Sequence, residues 1–142
     1  AHTRPEEFKL FSSVIPQDRE PNIDYTVNGF RELTGPGFDF DEAHARKVAE
    51  ELFDRAFYPA GVERQLMAAA MAGNRKGALK KLKIPSLVIH GQADPLIPVK
   101  AGRETADTIP GARLLVIEGM GHDIPRQAWP SIVKAITEHI QT

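Results

Sequence analysis

A carboxylate and an imidazole occupy matching places in this chain, each just past an apolar, strand-like run. Asp94 closes Ile89-His90-Gly91-Gln92-Ala93-Asp94-Pro95, and His122 sits in Glu118-Gly119-Met120-Gly121-His122-Asp123. An imidazole that shuttles a proton, held in one tautomer by a carboxylate, makes two of the three groups of a hydrolytic triad. A pair of this kind works only if both side chains arrive at the same point in space, so the elements that carry them decide its value.

The run before the carboxylate is Ser86-Leu87-Val88-Ile89-His90, opened by Pro85 and stopped by Gly91; its twin before the imidazole is Arg113-Leu114-Leu115-Val116-Ile117. Such short aliphatic runs predict strands buried on both faces. Between them Val99 to Ile109 predicts a helix, with Pro98 at its first position and Pro110-Gly111 ending it. A strand, crossover helix and strand lie parallel and side by side, with both carboxyl ends on one sheet edge. Neighbouring strands are about 4.8 Å apart, so short loops leaving those ends bring Asp94 and His122 within hydrogen-bond reach. That edge is also where open α/β sheets bind ligands. Gly119 and Gly121 bracket the approach to His122 and permit a tight loop, while Pro95 holds Asp94 extended.

The residues Ile84-Pro85 through Asp94, then Ile109-Pro110-Gly111-Ala112-Arg113-Leu114, then Gly119-Met120-Gly121-His122-Asp123 together resemble the C-terminal part of the α/β-hydrolase fold. Phe38-Asp39-Phe40-Asp41-Glu42 and Tyr58-Pro59-Ala60-Gly61-Val62-Glu63-Arg64-Gln65-Leu66 look like the helical cap of an esterase subfamily that includes anthracycline methylesterase-like proteins. The resemblance implies an α/β fold with residues 1–78 as a cap segment, irregular and then helical. Residues 79–142 would form the last part of the core, as strand, helix, strand and helix. It implies acyl transfer on a small-molecule ester, with His122 as base and Asp94 as orienting acid, and no cofactor or metal. Lactone, peracid, epoxide and haloalkane chemistry belong to the same fold.

The triad's third member is missing from these residues. The nucleophile elbow reads Gly-x-Ser-x-Gly at a strand-to-helix turn, and none of Ser12, Ser13, Ser86 and Ser131 has glycines so placed. No earlier strands and no oxyanion loop are legible. The chain, beginning at Ala1, reads as the cap and last two strands of a larger hydrolase and is expected to be inert toward esters alone. A non-enzymatic alternative is an association module. The strand Ser86 to His90 would lack a neighbour on one side, an edge that a second copy or the missing N-terminal half would cover.

The other residues near the pair carry plainer readings. The plainer reading of Asp94 is a cap on the turn before the Pro98 helix, and that of His122 an ordinary loop histidine. His90 reads as a strand-end histidine facing the core or an interface, Asp123 as a turn or helix-capping residue, and Glu118 as an alternative acid. His90, Asp94, His122 and Asp123 have the atoms for a divalent metal site, but His90 and Asp94 flank a glycine turn and share no helix face.

Composition narrows the classes further. A net charge of −1 offers no electrostatic reason for nucleic acid or an anionic membrane as partner. Arg75, Lys76, Lys80, Lys81 and Lys83 cluster without aromatic residues between them, as a solvated helix end does. Zero cysteines exclude disulfides and a thiolate nucleophile, and no apolar run reaches the ~20 residues of a membrane span. A cytoplasmic protein is the expectation. Proline and glycine density up to Gly37 predicts mostly irregular structure, with a short helix over Ile23 to Leu33. Beyond it, Asp39 or Asp41 would cap a helix carrying Ala45, Val48, Ala49, Leu52 and Ala56 on one face. A helix from Val62, with Leu66, Ala69 and Ala70 inward, would end at Gly73-Asn74. The last, from Trp129, would pack its Ile132, Val133, Ile136 and Ile140 stripe on the sheet.

Overall fold

Proline at position 21 falls in the first turn of a helix, where its missing N–H has no intrahelical bond to lose. The computed structural model describes residues 14–141, and in it this helix, α1, runs over Arg19–Leu33. The segment expected to be mostly irregular therefore holds fifteen helical residues. Ser12 and Ser13 lie outside the described residues.

Helix α2, Glu42–Ala56, starts at Asp41, whose carboxylate accepts from the His44 N–H at 2.9 Å. Ile23 and Val27 of α1 pack on Ala45 and Ala49 of α2, with Phe30 and Phe40 at the margin. On the outside, Arg19 binds Asp54 through two nitrogens at 2.9 and 2.8 Å, and Arg46 reaches Asp24 and Glu20. The hydrogen bonds from Arg19 hold the Asp54 carboxyl below its usual range, and those to Asp54 raise the guanidinium. These pairs are solvent-exposed and fix orientation more than stability.

Helix α3, Pro59–Met71, opens on Pro59 at its first position, three residues before the expected start. None of its residues is buried; Leu66 and Val62 border an open cavity of about 760 Å³ lined also by Tyr25, Phe53 and Phe57. The expected inner face of α3 thus looks into space. A short helix, α4 (Lys76–Leu79), leads to the sheet.

Strands β1 (Leu87–Gly91) and β2 (Arg113–Ile117) pair in parallel, Leu87 opposite Arg113 and Gly91 opposite Ile117. Helix α5, Val99–Thr108, makes the crossover, with Pro98 as its N-cap and not its first residue. A 3-10 turn, Arg126–Ala128, feeds α6, Trp129–Ile140. Met120, Ala128 and Ile132 form the core between loop, sheet and α6, with Phe38, Ile89 and Ile117 against it.

Two expectations of burial are corrected here. Both strands are half-buried along most of their length and not enclosed on both faces, because the helices chiefly packed on this two-stranded sheet among the described elements are α5 and α6. On α6 it is Ile132 and Ala135 that face the core, while Trp129, Val133, Ile136 and Ile140 are exposed, Val133 at 59% and Ile140 at 78%. The helix has a wider apolar face than the sheet covers.

Candidate active site

Pairing between the two strands does not stop where the strands do. The Gln92 N–H donates to the Ile117 carbonyl and the Ala93 N–H to the Met120 carbonyl, both at 2.9 Å, so the acid-bearing loop is stitched to the histidine loop. Glycines allow this approach. A Cβ on Gly91 would lie 2.1 Å from the Gly121 oxygen, and Gly119 takes a left-handed turn at φ +69° against Gly37.

At the end of that seam His122 Nδ1 stands 2.9 Å from Asp94 Oδ2. The Asp94 side chain is 5% exposed and the imidazole 41%. Asp94 Oδ1 accepts from the N–H groups of Leu96 and Ile97 at 2.8 Å each. The turn-capping role and the imidazole-binding role, alternatives in sequence terms, belong to different oxygens of one carboxylate. Its buried charge is thereby met by three donors, as burial requires. With Nδ1 bound to Asp94, Nε2 of His122 makes no hydrogen bond to the described residues.

His90 lies on the inner side of this turn. Its Nε2 donates to the Ile97 carbonyl at 2.8 Å and passes 3.5 Å from Asp94 Oδ2, and the ring fills the space over Gly102 of α5. It is a strand-end histidine packed inward, as its place in the sequence implied. Glu118 is exposed at the end of β2. Asp123 does not cap its own turn; its Oδ2 accepts from the Thr34 hydroxyl at 2.7 Å. Among the described residues no group of three His, Asp or Glu side chains is arranged to hold a metal ion, and no helix is long and apolar enough to cross a membrane.

Residues 33–37 also belong to the site, although Leu33 and Thr34 carry no mark of it in the sequence. The His122 N–H donates to the Leu33 carbonyl at 2.8 Å, and the Gly37 N–H to the Gly119 carbonyl at 3.0 Å. A Cβ at Gly35 would meet the Gly119 oxygen at 2.1 Å. The Gly35-Pro36-Gly37 triplet was the available signal: two glycines around a proline mark a place where backbone comes close to backbone.

The family model of the TAP-like proteins matches residues 60–142, more than half of the chain. The chain belongs to the α/β-hydrolases. Rhodomycin D methylesterase DauP of Streptomyces sp. (strain C5) is 29% identical over 136 residues, an alignment that takes in 84% of this chain and 40% of that protein. Among solved structures, a bromoperoxidase from Bacillus anthracis superimposes with a TM-score of 0.72 at 19% identity, over 97% of this chain and 49% of its own. An esterase from Exiguobacterium antarcticum gives 0.69 at 20% identity, over 96% and 48%. This α/β-hydrolase chain spans 40% of the curated relative and about half of each solved one. Helices followed by two parallel strands are the architecture of the C-terminal portion of that fold, as the sequence implied.

Proposed function

We propose that these residues supply the acid and the base of a Ser-His-Asp triad to a carboxylic ester hydrolase whose nucleophile lies outside the 142 residues. The observation that carries this is the contact of His122 Nδ1 with Asp94 Oδ2 at 2.9 Å, on a half-exposed imidazole whose other nitrogen is uncommitted. A carboxylate only accepts, so Nδ1 carries the proton and Nε2 presents its lone pair. From there His122 takes the proton of a nucleophilic hydroxyl and returns one to the leaving alcohol, while Asp94 steadies the imidazolium. Helices α1 to α3 act as the cap and the residues from about 79 onward as core. An aromatic-lined cavity of about 760 Å³ lies among these three helices, with Leu33 on its wall. The methylesterase and esterase names of the relatives support an ester as substrate, and zero cysteines agree with a cytoplasmic setting.

Two measurements test this reading. The 142-residue chain, having no Gly-x-Ser-x-Gly, is expected not to hydrolyse p-nitrophenyl acetate above background. Turnover that disappears in His122→Ala overturns that expectation. In a longer protein that carries these residues together with an elbow, Asp94→Asn lowers kcat by about 10⁴-fold and His122→Ala by at least as much. Undiminished hydrolysis in either variant removes them from the triad.

A second reading, association, is favoured by one observation. β1 has β2 as its only strand neighbour among the described residues, and the exposed Trp129, Val133, Ile136 and Ile140 line one face of α6. A second copy or the remaining part of the hydrolase is proposed to cover the Ser86 to His90 edge and this face.

A further inference from the structure

Asp123 has no part in the proton relay, yet it is held in an unusual way. Its Oδ2 takes the Thr34 hydroxyl at 2.7 Å across 89 positions of chain, and its Oδ1 is buried with no hydrogen-bond partner among the described residues. Leaving a carboxylate oxygen unsatisfied out of water is costly, and such groups persist where their placement serves something else. Thr34 is fixed in turn, since its backbone N–H donates to the Phe30 carbonyl at 2.9 Å in the last turn of α1; its single hydroxyl proton, 3.0 Å from that same carbonyl, goes to Asp123 at the shorter distance.

Chain order gives the arrangement its meaning. Thr34 follows Leu33, and Asp123 follows His122. The backbone bond from His122 N–H to the Leu33 carbonyl and the side-chain bond from Thr34 to Asp123 are therefore adjacent rungs joining the same two segments. The start of the loop is held by the Gly37 to Gly119 and Ala93 to Met120 bonds, and with one rung alone its His122-Asp123 end would still be able to turn. Two rungs one residue apart remove that rotation. The turn that carries Asp94 is closed by its own Leu96 and Ile97 N–H groups, and it meets the histidine loop through the Ala93 to Met120 bond and not through this ladder.

We propose that Thr34 and Asp123 form a latch between the end of α1 and the histidine loop, and that Asp123 is thereby a positioning residue for His122. With the latch closed, the imidazole is carried to Asp94; with it open, the His122 end of the loop is held to the end of α1 by the Leu33 bond alone and the ring is freer to leave the carboxylate. Movement of α1 is in this way coupled to the geometry of the imidazole. Only the consequence for catalysis rests on the reading of His122 as base; the latch itself is a statement about this chain's geometry.

The test uses the 142-residue chain, labelled with ¹⁵N, and needs no ester turnover, so its failure is separate from failure of the triad reading. Hydrogen exchange of backbone amides and the ring Nδ1–H signal of His122 are recorded for Thr34→Val, Asp123→Ala and Thr34→Ser. Thr34→Val and Asp123→Ala remove the same bond from opposite sides, so folding of either suffices. The expected result is exchange of the His122 amide about tenfold faster in both, with weakening of the Nδ1–H signal and unchanged rates at Leu96 and Ile97. Thr34→Ser, which keeps the hydroxyl, restores both His122 signals. An unchanged His122 amide and ring proton overturns the latch. Equal loss of protection at Leu96 and Ile97 also overturns it, since that is the pattern of a general loss of stability.

Discussion

Replacing Gly121 by alanine tests whether backbone contact between the histidine loop and residues 33–35 holds the site together. Gly121 does not take a positive φ, so the substitution carries no conformational penalty of its own and its cost is steric. The added Cβ would lie 2.0 Å from the Leu33 oxygen, 2.5 Å from the Gly35 nitrogen and 2.9 Å from the Thr34 carbonyl carbon, all backbone atoms with no side-chain freedom to yield. Carbon and oxygen settle at about 3.3 Å, so the two segments must part by roughly 1 Å. That opens the 2.8 Å bond from His122 N–H to the Leu33 carbonyl past any useful length. Overpacking of this kind costs about 1–3 kcal/mol, and the lost bond about 1 kcal/mol more. The sum, roughly 2–4 kcal/mol, is a large share of a typical domain's ~5–15 kcal/mol.

Urea unfolding followed by far-ultraviolet circular dichroism reads this directly. With a slope of about 2 kcal/mol/M, the middle of the range for small proteins, the midpoint falls by roughly 1–2 M. Gly29→Ala is the control, because it lies inside α1 with nothing within 4 Å of its Cβ; it is expected to stabilise by about 0.5–1 kcal/mol through helix propensity. A Gly121→Ala midpoint equal to that of the parent chain refutes the close-contact reasoning, and with it the account of how His122 is placed.

Asp94→Ala removes the acceptor for two turn amides and should destabilise by about 2 kcal/mol in the same urea assay, whereas Asp94→Asn keeps an oxygen at Oδ1 and stays within about 1 kcal/mol of the parent. Equal losses in the two variants would show that the turn does not depend on that oxygen. Asp54, with its pKa lowered by hydrogen bonding to Arg19, stabilises the fold above the ordinary carboxyl value near ~3.9. That contribution disappears as pH falls through the lower folded value, so the stability gap between parent and Asp54→Asn should be flat from about pH 5 to 8 and close in stronger acid. A gap that widens on acidification contradicts the sign. Val133→Lys, on the uncovered face of α6, should leave monomer stability within about 0.5 kcal/mol while abolishing any dimer seen by light scattering; a dimer that survives places the contact elsewhere.

The strand, crossover helix and strand around Asp94 and His122 were legible because each is bounded locally: aliphatic runs between Pro85 and Gly91, Pro98 before the helix, and Gly111 at φ +73° after it. Parallel pairing then places the two side chains, and the 2.9 Å contact agrees with what that topology allows. Helix α1 is poorly legible in the sequence because proline generally opposes a helix, although Pro21 sits in the one turn that tolerates it. Burial was over-read for a different reason. Apolar runs report what a residue is suited to, and β1, α3 and α6 are suited to more cover than the described residues supply. The role of Leu33 and Thr34 had no local signature at all, since it depends on contacts made with residues near 120.

The arrangement also accounts for why a carboxylate, and not a neutral acceptor, stands at position 94. One oxygen is spent on the turn, where an amide oxygen would serve as well, so the turn alone does not require Asp. The other oxygen faces a ring nitrogen and has His90 Nε2 only 3.5 Å away, which is also a donor because it binds the Ile97 carbonyl. An asparagine at this place would offer one oxygen to the turn and an NH₂ to two imidazoles. It would then confront the His90 N–H with another donor and force His122 to accept at Nδ1, moving its remaining proton to Nε2. Only a group that accepts at both ends satisfies the turn, His90 and a His122 whose Nε2 lone pair points outward at once. The identity of residue 94 is thus set by the side of the carboxylate that faces the histidines.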